Sequence, residues 1–448
     1  MKKLDKIFNP RTIAVIGASE EDRTVGKGLC ENLLRSGREN VYMINPFQEK
    51  VFNRPCLKKI TDIKERVDLA VIAVPAKIVP SAVKECCEKK VGGMVIVSNG
   101  FSEDGPAGKK LEAEIVEMAR NANIPIVGPN CLGIINAVAG MNASFSPVSP
   151  KAGNIAMLSQ SGALLDSMLC SSAEENFGFS KVISYGNEPD LNLCDFLEYL
   201  RNDKDTDVIC IYFEGLRDGH RFMKIAKEIS KIKPIVAIKS GRSAAGKSAA
   251  LTHTGSLAGD YPVCVAAMSQ SGVILVDTLE ELFDVSKVLA WQPRCNNGIG
   301  IVTNGGGLGV LSVDYCAEER IMVPRLKLET EDFLAQSKTM EKVRARNNPF
   351  DVIGDALADR YEVAIEAMLR QDDIFSVLVI STPQIMTEHM ENAKIMVKMK
   401  KKYPQKAVVA CFVGGGFSTE AVRYLEDNRI PNYDDPKRAV KSIRKLIL

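Results

Sequence analysis

The chain has 448 residues, about three domains at roughly 150 residues each, and is 46% hydrophobic and 25% charged, the balance of a soluble globular protein. A formal net charge of +2 gives no electrostatic case for nucleic acid or an anionic membrane, and no apolar run approaches the roughly 20 residues of a membrane span. The basic start, Met1-Lys2-Lys3-Leu4-Asp5-Lys6, leads into no apolar stretch of a signal peptide, so the twelve scattered cysteines are expected to be reduced thiols in a cytoplasm. Three histidines, His220, His253 and His389, have no metal-ligand spacing to one another or to cysteine, so no metal site is expected.

Apolar strand-like runs at 12–16, 69–74, 93–97, 154–158, 208–213, 235–238, 300–303, 377–380 and 408–412 alternate with helical stretches. This alternation predicts an α/β protein with buried parallel sheets. Turn-rich segments at 147–153 and 292–298 divide it into an N-terminal unit, 1–146, and two further units, 147–292 and 293–448. The last two carry a diverged repeat. Leu158-Ser159-Gln160-Ser161-Gly162-Ala163-Leu164 is echoed by Val302-Thr303-Asn304-Gly305-Gly306-Gly307-Leu308, and Asn187-Glu188-Pro189-Asp190 by Asn348-Pro349-Phe350-Asp351. Two similar open α/β domains are expected.

In the first unit the run 12–16 enters a tight turn at Gly17-Ala18-Ser19, and Gly26-Lys27-Gly28 opens a helix. Glycine there lets backbone N–H groups approach a pyrophosphate at a helix N-terminus. The strict G-x-G-x-x-G spacing is absent. The second strand ends in Asn45-Pro46 rather than in the acid that would hold an NAD ribose. A nucleotide-like ligand other than NAD is expected, which argues against an oxidoreductase.

Gly17-Ala18-Ser19, Asn45-Pro46, Val74-Pro75-Ala76, Gly100-Phe101 and Gly128-Pro129-Asn130-Cys131-Leu132-Gly133 occur in this order. Together they resemble the CoA-binding domain of succinyl-CoA synthetase and, more closely and over essentially the whole chain, the ADP-forming acetyl-CoA synthetases. The resemblance implies a Rossmann-like CoA-binding domain followed by two flavodoxin-like domains. It assigns CoA contacts to Gly17, Ala18, Ser19, Gly26, Asn45, Pro46, Val74, Pro75, Ser98 and Gly100.

After the run 235–238 comes a loop rich in small residues that ends in Thr252-His253-Thr254-Gly255-Ser256-Leu257-Ala258-Gly259. A loop beyond the C-terminal end of a parallel strand is where α/β sheets place active sites. His-Thr-Gly-x-Leu-Ala-Gly is similar to the phosphohistidine signature of the same family, with Thr252 where serine is usual. A nucleophilic imidazole needs a fixed tautomer, and a carboxylate provides one. The resemblance places that carboxylate at Glu214, just past the run 208–213. Two glycine-containing turns, Ser159-Gln160-Ser161-Gly162 and Asn304-Gly305-Gly306-Gly307, open helices whose N-termini suit phosphate. Gly246-Lys247-Ser248 only superficially resembles a phosphate loop, because His-Thr-Gly follows within a few residues. His220 and His389 are read as surface residues.

The resemblance implies an acid–CoA ligase that interconverts acyl-CoA, ADP and phosphate with a carboxylic acid, CoA and ATP. No stretch resembles the family's ATP-grasp nucleotide domain, so ADP/ATP and magnesium are expected on a β subunit in a heterodimer or α2β2 assembly. The rival expectation is a non-catalytic CoA-binding regulator, against which His253 with Glu214 and two glycine turns argue.

Overall fold

The computed structural model describes residues 2–248, 260–343 and 347–448, and they form two compact units, Met1–Leu279 and Glu280–Leu448.

The first unit holds two seven-stranded sheets. After helix α1 (Lys2–Phe8), the first sheet contains β1 (Ile13–Ile16), β2 (Val41–Ile44), β3 (Lys50–Val51), β4 (Arg54–Leu57), β5 (Leu69–Ile72), β6 (Gly93–Ile96) and β7 (Ile126–Val127), in the order β3-β4-β2-β1-β5-β6-β7. Only β3 runs antiparallel to its neighbour. Buried apolar residues fill β1, β5 and β6 on both faces, as a parallel sheet covered by helices requires. Helices α2 (Val25–Arg35), α3 (Val79–Lys89) and α4 (Gly105–Asn121) supply that cover. Thr24 caps α2 by accepting from the Lys27 N–H. The chain leaves β1 toward β2 on one side and returns to β5 on the other, so a crevice opens beyond the ends of β1 and β5.

The second sheet contains β8 (Gly133–Asn136), β9 (Met141–Ser144), β10 (Ala152–Ser159), β11 (Phe179–Ser184), β12 (Val208–Phe213), β13 (Ile235–Lys239) and β14 (Ile274–Val276). Its helices are α5 (Gly162–Glu174), α6 (Leu193–Arg201), α7 (Gly219–Ile229) and α8 (Tyr261–Gln270). The order is β14-β13-β12-β10-β11-β8-β9. Its parallel part, β11-β10-β12-β13-β14, has the flavodoxin order 2-1-3-4-5. One apolar core cluster joins Val15 and Val71 of the first sheet to Leu158, Ile211 and Phe213 of the second.

The second unit runs through α9 (Leu279–Trp291), β15 (Ile299–Thr303), α10 (Gly306–Glu318), α11 (Leu328–Ala335), β16 (Phe350–Asp351), α12 (Ala358–Arg370), β17 (Ser376–Ser381), α13 (His389–Lys402), β18 (Ala407–Phe412), α14 (Thr419–Asp427) and α15 (Pro436–Arg444). Its strand order, β16-β15-β17-β18, repeats the first four positions of the second sheet, as the diverged repeat predicts. A parallel bridge between Ala410 and Asn432 stands where a fifth strand would begin.

The β8–β9 hairpin, which precedes the expected break at 146/147, pairs antiparallel with β11 through Ile135 and Val182 and so belongs to the second sheet. The two compact units divide at residue 279, one helix ahead of the expected break at 292/293. Helix α9 packs into the second unit, where Asp284 receives a two-pronged bond from Arg438, Nε and Nη2 each at 2.8 Å, and Lys287 pairs with Glu426 at 3.2 Å. His389 is half-buried rather than freely exposed. Its Nδ1 lies 3.0 Å from Ser381 Oγ, its ring rests on Phe412, and burial lowers its pKa. His220 is exposed, as expected.

Candidate functional site

A cavity of about 980 Å³ opens in the first unit. Its wall takes Val74, Pro75 and Ser98 from the loops after β5 and β6, Asn130 to Leu132 from the linker to β8, and Gln160 to Ala163 from the turn that opens α5. Asn187 and Glu188 after β11, and Glu214 to Arg217 after β12, complete it. It therefore joins the strand ends where a nucleotide-like ligand is expected to a helix N-terminus and a buried carboxylate.

The glycine turn stands beside this wall as a close-packed support. Gly17 has φ +91°, and a Cβ on it would meet the Ala73 carbonyl oxygen at 2.3 Å. A Cβ on Gly26 would meet the Gly17 carbonyl oxygen at 2.1 Å. Only glycine at both positions lets helix α2 close on the β1 turn.

Several expected contacts are instead committed to the protein. Ala18 is buried, and its carbonyl accepts from Asn45 Nδ2 at 2.8 Å. The Asn45 Oδ1 accepts from the Phe47 N–H at 2.9 Å, so this side chain ties the turn after β1 to the loop after β2. Ser19 Oγ accepts from the Glu21 N–H at 3.0 Å within the inserted loop. Pro46 is exposed in the turn after Asn45 and Gly100, at φ +96°, donates its N–H to Glu103 Oε1 at 2.7 Å; neither lines the cavity. Ser98 does line it, and its hydroxyl donates to the Val74 carbonyl at 2.6 Å.

At the mouth of α5 the two serines differ. Ser159 is fully buried, donating to the Ser161 carbonyl at 2.7 Å and accepting from the Ser161 N–H at 3.1 Å, so its hydroxyl shapes the turn and offers nothing to a ligand. Ser161 is the N-cap, accepting from the Leu164 N–H at 3.3 Å, and lines the cavity with Gly162 and Ala163. The N–H groups of this first turn have no acceptor within the helix, and the positive end of the helix dipole lies with them.

Glu214 is buried at the end of β12, with Oε1 3.4 Å from the Tyr212 hydroxyl. The neighbouring strand β13 ends level with it, where the Ser240 N–H donates to the Phe213 carbonyl at 3.2 Å. From there the chain enters the small-residue loop. Arg242 pins the loop's start to the Val276 carbonyl at 2.9 Å, and Lys247 pairs with Asp260 at 3.3 Å. His253 itself lies outside the described residues.

Several polar wall residues have no counterpart among the expected contacts, among them Glu103, Asn187, Glu188 and Arg217. Asn187 Nδ2 donates to Glu103 Oε2 at 2.5 Å and to Glu112 Oε2 at 2.9 Å, joining the two sheets' loops. Burial pushes the Glu103 carboxyl up, but this bond and the N–H groups of Phe101 and Gly100 outweigh it and hold its pKa below the ordinary value. Burial pushes Glu188 up to about 7 against the opposing Leu193 N–H, Arg217 and Gln160. Asn187-Glu188 is conspicuous in the sequence as a repeat marker, and that recurrence was the available signal of a functional loop.

In the second unit, Asn304 is buried and saturated. Its Nδ2 donates to Gln384 Oε1 at 2.6 Å, Thr387 Oγ1 at 3.0 Å and the Thr382 carbonyl at 3.2 Å, and its Oδ1 accepts from the Thr382 N–H at 2.8 Å. It braces the turn. Gly305 holds the N-cap position of α10, and Gly306 and Gly307 in its first turn are exposed.

Known proteins similar to this chain cover it almost entirely. The CoA binding domain family matches residues 11–137, the succinyl-CoA ligase like flavodoxin domain 152–289 and the ligase-CoA domain 299–442. The alpha subunit of acetate–CoA ligase [ADP-forming] II from Pyrococcus furiosus is 38% identical, over 99% of this chain and 97% of that protein. The chain belongs to the ADP-forming acetate–CoA ligase family. Within that family, the acetate–CoA ligase [ADP-forming] I of Archaeoglobus fulgidus is 42% identical over 99% of this chain, which spans 63% of that longer relative. A family structure, the acetyl-coenzyme A synthetase 1 of Ca. Korarchaeum cryptofilum in complex with phosphate and ADP, superimposes with a TM-score of 0.93 at 34% identity, covering 100% of this chain and 96% of that one. No described helix is long and apolar enough to cross a membrane.

Proposed function

We propose that this chain is the CoA-binding, phosphohistidine-carrying component of an ADP-forming acyl-CoA synthetase, with His253 as the residue phosphorylated and Glu214 as the carboxylate that orients it. One observation carries the reading. A single cavity is walled by the loops of the first sheet, by the N-terminus of α5 and by buried Glu214 at the end of β12.

In the acyl-CoA-consuming direction, inorganic phosphate attacks the thioester carbonyl. The carbon–sulfur bond breaks, CoA leaves as thiolate, and an acyl phosphate forms. An imidazole nitrogen of His253 then attacks phosphorus and the carboxylate departs. A terminal oxygen of ADP takes the phosphoryl group from the histidine, giving ATP. The first-turn N–H groups of α5, with the Ser161 hydroxyl, hold the anionic phosphoryl group, and Glu214 accepts from the imidazole nitrogen that does not react. Gly305–Gly307 offer a second phosphate-binding turn through backbone N–H groups rather than through the Asn304 side chain.

ADP or ATP with magnesium belongs to an ATP-grasp component, read here as a β subunit because the Pyrococcus relative that this chain spans almost entirely is named a subunit alpha. The expected setting is a heteromer in the cytoplasm. Mixing the purified chain with that component and γ-labelled ATP should place acid-labile, base-stable phosphate on this chain, and His253→Ala should abolish it while CoA still binds. Phosphate on His220 or His389, or normal labelling of His253→Ala, defeats the reading.

A further inference from the structure

The Gln160 side chain spans two groups in the cavity wall. Its Oε1 accepts from the Glu214 N–H at 2.5 Å and from the Gly215 N–H at 3.2 Å, and its Nε2 donates to Glu188 Oε1 at 3.1 Å. The amide has one orientation that satisfies all three. Two backbone donors face one end, which must be oxygen; a carboxylate faces the other, which must be the NH2 group. Turned over, the amide would set donors against donors at Glu214 and Gly215 and an acceptor against an acceptor at Glu188.

Glu188 is built to be that acceptor. It is buried, at 5% exposure, on a left-handed backbone with φ +48° that non-glycine residues seldom adopt. Its Oε2 accepts from the Leu193 N–H at 3.2 Å, which leaves Oε1 for Gln160. A proton on Oε1 would face the Gln160 NH2 group, and a proton on Oε2 would face the Leu193 N–H. Either position loses one of the two bonds.

We propose that Glu188 is a positioning residue for Glu214: the ionised carboxylate locks the Gln160 amide, the amide fixes the backbone at Glu214 and Gly215, and protonation of Glu188 releases it. The inference rests on the reading of Glu214 as the partner of His253.

Protonation falls in an accessible range, because burial raises Glu188 to about 7. The charged groups around it are few. Arg217 Nε lies 3.9 Å from Oε1, and Asp195 on α6, which raises Glu188, is itself paired with Arg221 at 2.7 Å. Glu214 is held through the same amide, and Glu103 and Glu112 are tied to Asn187 on the preceding residue. The Tyr185 hydroxyl donates to the Tyr212 carbonyl at 3.1 Å. The ionised form exists above its pKa, so the lock is present at pH 8 and lost as pH falls through about 7.

The test is the rate of phosphoryl transfer from γ-labelled ATP to this chain, joined by its ATP-grasp component, between about pH 5.5 and 8.5. The native chain should be several-fold faster at pH 8 than a variant without the lock, and this ratio should fall toward one as pH drops through about 7. Glu188→Gln, like protonated Glu188, can keep only one of the two bonds and cannot titrate, so it should match the native chain at low pH and lag it at pH 8. Gln160→Met, which removes the relay and leaves Glu188 in place, should give the same ratio, and serves if Glu188→Gln fails to fold. The neutral imidazole that the transfer requires gives all three chains a common acid limb, which cancels in the ratio. A native-to-variant ratio that does not change with pH overturns the inference. If His253→Ala abolishes labelling while that ratio stays constant, only this inference fails; if His253→Ala labels normally, the functional reading fails first.

Discussion

Asn187 Nδ2 lies 2.9 Å from Glu112 Oε2, and so a side chain from the loop after β11 is bonded to a carboxylate on α4, across the two layers that make the first unit. The same nitrogen reaches Glu103, while Asn187 Oδ1 accepts from Asn130 at 3.2 Å. One amide therefore ties three segments of the cavity wall.

Asn187→Ala should lower stability by about 1–3 kcal/mol, the range for stranding buried acceptors. It should also weaken CoA binding, because the loops at Ser98 and Asn130 lose their common anchor. Calorimetric melting and CoA titration check both effects. The Glu103 carboxyl is held below its ordinary value in the folded chain, so its bond stabilises above the unfolded pKa of about 4 and is lost as pH falls through the folded one. The gap in melting temperature between the native chain and Asn187→Ala should accordingly shrink in strong acid. A gap independent of pH would remove Glu103 from the account.

Gly26→Ala places a methyl 2.1 Å from the Gly17 carbonyl oxygen, a backbone atom that cannot swing aside. The β1 turn must separate from α2, so CoA affinity should fall at least tenfold on titration. Gly37→Ala offers a comparison at another glycine: it has open space around it, and its cost should be the modest strain of φ +71° with CoA affinity unchanged. Equal CoA affinity in native chain and Gly26→Ala would show that the turn does not serve the ligand.

Glu214→Gln keeps the shape of the side chain but replaces an anionic acceptor with a neutral one. Phosphoryl transfer to the chain should fall by roughly a hundred-fold, within the range for removing a positioned partner. CoA binding should be unaffected. Single-turnover labelling separates the two, and a loss below threefold would leave Glu214 without a role at the histidine.

Much of this architecture was legible in the sequence. Every one of the nine apolar runs coincides with a strand, because buried parallel strands are continuous apolar segments whose signal is local. The turn at Gln160–Gly162 is legible as a strand-to-helix turn, and Glu214, Val74, Pro75 and Ser98 are legible through the family resemblance; all of them line one cavity. What escaped was non-local. The β8–β9 hairpin looks like the tail of the first sheet until it is seen pairing with β11, about 45 residues further along. Ser159, Asn45 and Asn304 have the residue types of ligand contacts, and only their hydrogen bonds show that each is spent on holding a turn. Glu188 stands out in the sequence only as part of a repeated segment; its burial and its bond to Gln160, 28 residues away in sequence, show only in the structure.

The reassignment of α9 can be tested by cutting the chain. A fragment covering 280–448 retains Asp284, Lys287 and the helix that presents them, and should melt cooperatively by itself. A fragment covering 293–448, the division that the turn at 292–298 suggests, takes Asp284 from Arg438, leaving it Asp434, and takes Lys287 from Glu426, whose side chain is 5% exposed. Stranding buried ionic partners costs about 3–5 kcal/mol each, comparable with the whole stability of a small domain. The shorter fragment should therefore be unfolded or aggregated, and within the longer one Arg438→Lys, which cannot reproduce two parallel bonds, should lower stability by about 1–3 kcal/mol. Circular dichroism melting decides the matter. If 293–448 melts as cooperatively and as high as 280–448, α9 is dispensable to the second unit and the boundary belongs after it.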